Sequence, residues 1–333
     1  MTVVAIIGAG VNGLSTGIEL LKKGYEVIIF TDQITPNTTS DIACAIWMPY
    51  KVAPKEQAMS WAASSLEQFK QFAKETDEAG ILFKTHTELH SKYEQKPEWM
   101  NFLEQLPVPS YVPAEYKANS FTVKIPVIDT KKYMPYLHKL FLTNGGKIHT
   151  AKITALTELY SKYNVVINCA GLGAKELVND NTVYPIRGHV LSIKKPEGFD
   201  DSMVCPDDAL AHIISRTDDC LIGGTAEENN WSTTPDSNTK EQILSRVKTI
   251  YPPLANQPII ILKEMIGLRP GRPTVRLEMS FHDLQHVVIH NYGHGGAGFA
   301  LSWGCAQAVA TLTHDFINSL LANAQPSRQT RYR

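Results

Sequence analysis

Cysteine is sparse in this chain and follows no pattern. Cys44, Cys169, Cys205, Cys220 and Cys305 are odd in number and scattered over 333 residues, without a CxxC pair. That spacing excludes a zinc ribbon and a dense disulfide frame, and it suits reduced thiols in a cytoplasmic protein. No charge of one sign dominates: 32 Lys plus Arg stand against 33 Asp plus Glu. A bulk attraction to nucleic acid or to an anionic membrane is therefore not expected. No apolar run approaches the roughly 18 residues of a membrane span. The apolar start, Val3 to Ile7, lacks a basic flank and runs into a glycine turn, so it is expected as a core strand and not as a leader. The ending Gln329-Thr-Arg-Tyr-Arg333 is not a peroxisomal tripeptide, and a cytoplasmic location is expected. Internal repeats, low-complexity tracts and an obvious Ser/His/Asp or paired-carboxylate site are all missing. The length suits one large α/β unit or two intimately joined domains.

What is present is glycine, in turns at both ends. Val4-Ala-Ile-Ile-Gly8-Ala-Gly10-Val11-Asn12-Gly13 reads as strand, tight turn and helix start. The first glycine makes the turn, the second admits a pyrophosphate, and the third lets helix pack on strand. Asp32 follows the second strand and is the candidate ribose ligand, one residue later than that pattern usually places it, with Thr31 at the usual position. Near the C-terminus, Val288-Ile-His290-Asn-Tyr-Gly293-His294-Gly295-Gly296-Ala-Gly298-Phe299-Ala300 repeats the strand, turn and helix order. A third such unit is Asn164-Val-Val-Ile-Asn-Cys-Ala170-Gly171. Three turns of this kind suggest one long cofactor gripped at several points. His290 and His294 are four apart, but the glycines between them make a turn and not a helix face, so no metal is expected.

Between these units the texture changes. Trp61 to Phe72 and Tyr133 to Leu142 read as helices, and Phe121 to Pro126 alternates like a half-buried strand. Val190 to Ile193, His212 to Ile214, Cys220 to Ile222 and Ile259 to Leu262 read as strands of an antiparallel sheet. The expected fold is α/β: a Rossmann-type lobe interleaved with an α+β lobe on that sheet. Residues 1–50, 138–182 and 280–333 are assigned to the first lobe, and 51–137 and 183–279 to the second.

These motifs, in this order, resemble the D-amino-acid and D-aspartate oxidase family. Beside the C-terminal turn, the resemblance rests on Thr38-Thr39-Ser40-Asp41 with Ala45, Trp47 and Tyr50, on Leu221-Ile-Gly-Gly-Thr225 with Trp231, and on Gly267-Leu-Arg269-Pro-Gly-Arg272-Pro-Thr-Val-Arg276. It implies non-covalent FAD and oxidation of a D-amino acid to the imino acid, with oxygen as acceptor and hydrogen peroxide as product. It also implies that Gly8, Gly10, Val11, Asn12, Gly13, Asp32, Thr38, Thr39, Ser40, Ala45, Trp47, Ala170, Gly171, Gly293, Gly295, Gly296, Gly298, Phe299 and Ala300 hold the cofactor. Arg269 would bind the substrate carboxylate, since a planar permanent cation suits it. The Gly296 carbonyl would accept from the substrate amine, and Tyr50 would line the pocket. A homodimer is one open arrangement.

The sequence departs from the family at His212, which stands where a tyrosine bonds the substrate carboxylate, and at Asp208, where some members carry a lid tyrosine. His212 could donate the same bond, add charge if protonated, or be a satisfied core histidine. Met48, Ala300 and Ala45 also replace family residues near the flavin. Two alternatives stay open: an FAD oxidase or dehydrogenase of glycine, a secondary amine or another amino acid, and a flavin-binding protein without turnover.

Overall fold

The computed structural model describes residues 2–206 and 210–324. The chain opens as expected with β1 (Val3–Ile7), α1 (Val11–Lys22) and β2 (Glu26–Thr31). β1 pairs in parallel with β2, from Val3↔Glu26 to Ile7↔Phe30. β1 is apolar throughout because neighbours cover both faces, as in buried parallel sheets. Helix α2 (Lys55–Glu75) is longer at both ends than its apolar stripe suggests. Next come β3 (Ile81–Glu88), β4 (Phe121–Ile128), α3 (Thr130–Thr143), β5 (Lys147–Thr150) and β6 (Val165–Asn168). A run of strands follows: β7 (Tyr184–Lys194), β8 (Ser202–Cys205), β9 (Ala211–Ser215), β10 (Asp219–Gly223) and β11 (Glu227–Glu228). The chain ends with α4 (Ser237–Ile250), β12 (Ile261–Gly271), β13 (Arg276–Phe281), β14 (Val287–Tyr292) and α5 (Gly298–Ala324).

Two sheets result. The first has the order β13-β14-β6-β1-β2-β5, parallel except for the β13/β14 pair. β1 therefore lies beside β6, and β6 beside β14, so the strands that precede the three glycine turns are adjacent. The second has the order β11-β7-β10-β9-β8-β3-β4, with β12 on β7. It is antiparallel apart from the β3/β8 pair. The architecture is thus the mixed α/β one expected. Among the described residues no helix is long and apolar enough to cross a membrane.

Several elements carry little signal in sequence. β3 ends in His86, Thr87 and Glu88, all buried. These polar groups are satisfied sideways, His86 Nδ1 against Ser202 Oγ at 3.0 Å and the Thr87 hydroxyl against that of Thr122 at 3.1 Å. Helix α4 is largely polar, and its start is set by Asp236, whose carboxylate caps the Thr239 N–H at 2.9 Å. Its apolar side chains Ile243, Val247 and Ile250 cover Ile213, Ile222 and Leu191 on one face of the second sheet. The other face of that sheet is left for the site.

Candidate active site

A cleft of about 1180 Å³ takes in the C-terminal ends of the parallel strands and the open face of the antiparallel sheet. Ligands of open α/β sheets bind outside those strand ends. At the first turn, Gly8 has φ +102°, and a side chain there would meet the Cys169 carbonyl at 2.5 Å. A Cβ on Gly13 would lie 1.9 Å from the Gly8 carbonyl oxygen. The turn leaves room for no other residue, and it brings Gly10, Val11 and Asn12 to the cleft at the N-terminus of α1.

Thr38, Thr39 and Ser40 line the cleft opposite that turn. The Val11 N–H donates to Ser40 Oγ at 3.0 Å. Asp41 fixes this segment: the Thr38 N–H and hydroxyl donate to one carboxylate oxygen at 2.9 and 2.6 Å, and the Thr35 hydroxyl to the other at 2.6 Å. At the end of β2 the side chains alternate as strands require. Thr31 is buried, its hydroxyl donating to the Gln33 carbonyl at 2.7 Å, Asp32 and Gln33 are exposed, and all three line the cleft.

The second turn brings Ala170 and Gly171 to the same wall, with the Ala170 N–H donating to Asn168 Oδ1 at 3.1 Å. The third brings Gly293, Gly295, Gly296, Gly298 and Phe299. First and third turns touch: Asn12 Nδ2 lies 3.3 Å from His294 Nδ1. Asn12 Oδ1 and His294 Nε2 are buried without a protein partner. Burial holds the His294 imidazole down at about 4 and, with Arg276, does the same for His290. The two histidines do not converge, since His290 meets Asn168 at 3.4 Å.

Three residues expected to hold the cofactor lie behind the wall and do not line the cleft. Gly13 serves the packing of α1 on the turn, Ala300 is buried in α5, and Trp47 is fully buried. The Trp47 ring packs edge-on to Trp99 and donates to the Ala62 carbonyl at 2.9 Å. Ala45 does line the cleft and holds φ +40°, a left-handed conformation that favours glycine.

At the other end of the cleft stands Arg269. Its guanidinium lies flat over Gly188 and donates from Nη1 to the Thr225 carbonyl at 3.2 Å. Its Cδ passes 3.8 Å from where a Gly296 side chain would begin, so the candidate carboxylate and amine partners are neighbours. Burial lowers the Arg269 guanidinium from its ordinary value. Tyr50 lines the same space, with Lys51 Nζ 5.1 Å from its ring centre. Arg272 and Arg276 are committed elsewhere, Arg272 Nε to Asp180 at 2.9 Å and Arg276 Nε to Glu278 at 2.7 Å.

His212 faces the cleft from β9, its Nε2 3.2 Å from Cys44 Sγ. Burial first, and Arg269 second, pull this imidazole down to about 3, while burial pushes the Cys44 thiol up. Both groups are neutral near pH 7. Of the readings left open for His212, burial and the neighbouring Arg269 favour a neutral imidazole over an added positive charge. Asp208 lies outside the described residues. The cleft residues that sequence reasoning missed include Glu88, Cys44, Gly188 and Arg246. Only Gly188 carries a readable signal, as a lone glycine inside an apolar strand, which marks a close approach.

Comparison with known proteins places this geometry. The family profile described as FAD dependent oxidoreductase matches residues 4–312. The chain is 36% identical over 328 residues to D-amino-acid oxidase of Dictyostelium discoideum, covering 95% of this chain and 92% of that protein. It is 35% identical over 317 residues to D-amino-acid oxidase of Rubrobacter xylanophilus, covering 92% and 94%. Among solved structures, glycine oxidase from Geobacillus kaustophilus superposes with a TM-score of 0.77 at 16% identity, covering 95% of each chain. That last likeness speaks for the fold. The cleft fits a flavin dinucleotide on its own terms too, through a turn without room for side chains, a helix N-terminus and the orphaned Asn12 and His294 atoms. The chain belongs to the FAD dependent oxidoreductase family and is a flavoenzyme of the D-amino-acid oxidase type.

Proposed function

We propose that this enzyme oxidises D-amino acids to imino acids, which water converts to 2-oxo acids and ammonia, while oxygen becomes hydrogen peroxide. The observation that carries this reading is the placing of Arg269 beside Gly296 in the wall of the cleft. Bound FAD would supply the two-electron chemistry, as acceptor for the hydrogen of the substrate α-carbon and donor to oxygen. The turn from Gly8 to Asn12 would hold its pyrophosphate and Asp32 a ribose. Thr38 to Ser40, Ala45, Ala170, Gly171 and the loop from Gly293 to Phe299 would hold the remainder.

The chain's own residues position the substrate. Arg269 takes the carboxylate in a buried setting where the ion pair is strong. The Gly296 carbonyl accepts from the amine, and Tyr50 closes the pocket beside it. His212 offers a neutral imidazole to the carboxylate side of the pocket. An amine held beside Arg269 favours its uncharged form, because a like charge nearby and burial both disfavour the ammonium. Positioning of this kind accounts for the lack of a general base.

The test is anaerobic mixing of the flavin-loaded protein with panels of D- and L-amino acids, glycine and secondary amines. Loss of the oxidised flavin band with some D-amino acids, reversed by air with peroxide release, is the expected result. Bleaching by glycine or a secondary amine alone would move the assignment to that substrate class. No bleaching, with Arg269→Ala leaving carboxylate binding intact, would leave a flavin-binding protein without turnover.

A further inference from the structure

Among the described residues, the mechanism leaves one buried acid in the cleft unused. Glu88 ends β3 and lines the cavity while only 6% exposed. It is held there by sheet pairing. Glu88 is in register with Val204 of β8, and Val204 with His212 of β9. Residues in register across a sheet share a face. Glu88, Val204 and His212 therefore form a row on the cleft side, and all three line the cavity. Thr87 and Leu89 point the other way, Leu89 into the core beneath α4. Strand spacing puts Glu88 roughly 10 Å from His212.

The row has a polar axis. Beyond His212, at Gly223 and Gly224, stand the cations: Arg269, bonded to the Thr225 carbonyl, and Arg246, which reaches the Gly224 carbonyl at 3.4 Å and Gln242 at 2.9 Å. The middle is apolar, with Val204, Ile214 and Leu210 lining the cavity. The far end is the Glu88 carboxylate, whose Oε1 lies 3.1 Å from His90 Nε2. A carboxylate needed only to hold His90 has no reason to face the cavity.

We propose that Glu88 reads the substrate side chain and selects D-amino acids that end in a cation. This rests on the function proposed above and names its substrate class. With the substrate carboxylate on Arg269, an apolar stem of three or four methylenes would lie along Val204 and Ile214. The ammonium or guanidinium head would then meet Glu88 in a charge-assisted hydrogen bond. An acidic side chain would meet repulsion at the same place.

The experiment compares kcat/KM for D-ornithine and for D-norvaline, its uncharged counterpart, in the FAD-loaded enzyme and in Glu88→Gln, which keeps size and shape. The expected result is a preference for D-ornithine of tenfold or more that disappears in the variant, with D-norvaline turnover unchanged. No preference in the native enzyme, or a preference unaltered by E88Q, would overturn the proposal. A second readout does not need turnover: binding of 5-aminopentanoate against pentanoate, followed by the shift of the flavin absorption band. The former should bind at least tenfold more tightly in the native protein only, and equal affinities would refute the role of Glu88. If every D-amino acid is inert while this difference in binding holds, the function fails and the Glu88 subsite stands.

Discussion

Gly188 lies directly beneath Arg269, so that a Cβ at position 188 would fall 2.5 Å from Nη1 and 2.7 Å from the central carbon of the guanidinium. The arginine can lie flat along β7 only because the strand has no side chain there. Gly188→Ala should lift the guanidinium out of place while leaving the nucleotide turns untouched. The expected outcome is a KM for D-amino acids raised ten- to a hundredfold, the scale of one lost charge-assisted hydrogen bond. FAD affinity should not change. Equal losses in flavin and substrate binding would mean that Gly188 serves folding instead.

Gly13→Ala tests the other end of the cleft. Its methyl would overlap the Gly8 carbonyl, and backbone on both sides cannot yield. The turn should open, and the variant should purify without its yellow colour. Full retention of FAD in the variant would contradict the packing described.

A buried network ties β10 to the start of α3 through Asp219. Arg216 donates to both of its oxygens, at 2.9 and 2.7 Å, and Lys131 of α3 adds a bond at 2.8 Å. Burial by itself would raise the Asp219 carboxyl, but the bonds from Arg216, Lys131 and Ser192 hold it well below the usual range. Asp219→Asn leaves the buried Arg216 with only the Asp129 carboxylate, 3.8 Å from Nη1, and should cost up to about 3–5 kcal/mol. Denaturant unfolding measures it. A loss below about 1 kcal/mol would show that water repairs the site.

Stability should fall in mild acid. Burial lowers His212 to about 3, and His86, His290 and His294 to about 4, from an unfolded value of 6.5. The unfolded chain therefore takes up protons between pH 6.5 and 4 that the folded chain refuses. Stability is complete above 6.5 and declines as pH falls through this window, by up to about 1.4 kcal/mol per pH unit for each histidine. Below it Asp219 adds a further loss, because its folded carboxyl titrates under the unfolded value of 3.8. Melting temperatures from pH 8 to 4 should be flat and then drop. A midpoint constant down to pH 5 would refute the burial of these rings.

The unit from β1 to β2 and the β14 turn were legible because their signals are local: an apolar run, then glycines at fixed spacing, then a 3.6-residue period. Strand β3 was not, since its buried residues are polar and find their partners on distant strands. The same division runs through the site. Asp32 could be expected at the cleft from its place after β2, and Arg269 from the family resemblance of its segment; both line the cleft. Trp47 could be named too, although the fold buries its ring away from the cleft. Glu88 could not, because only the pairing of β3 with β8 and of β8 with β9 brings it into line with His212. No spacing in sequence encodes that row.

The contact between Asn12 and His294 spans 282 positions of the chain. On the ribosome, the wall formed by the first and third glycine turns stays unfinished until the segment around Gly298 has emerged. The earlier part is made with its parallel sheet lacking β14, the outer neighbour of β6, and with the apolar side of α1 uncovered by α5. Flavin capture is thus a late, whole-chain event.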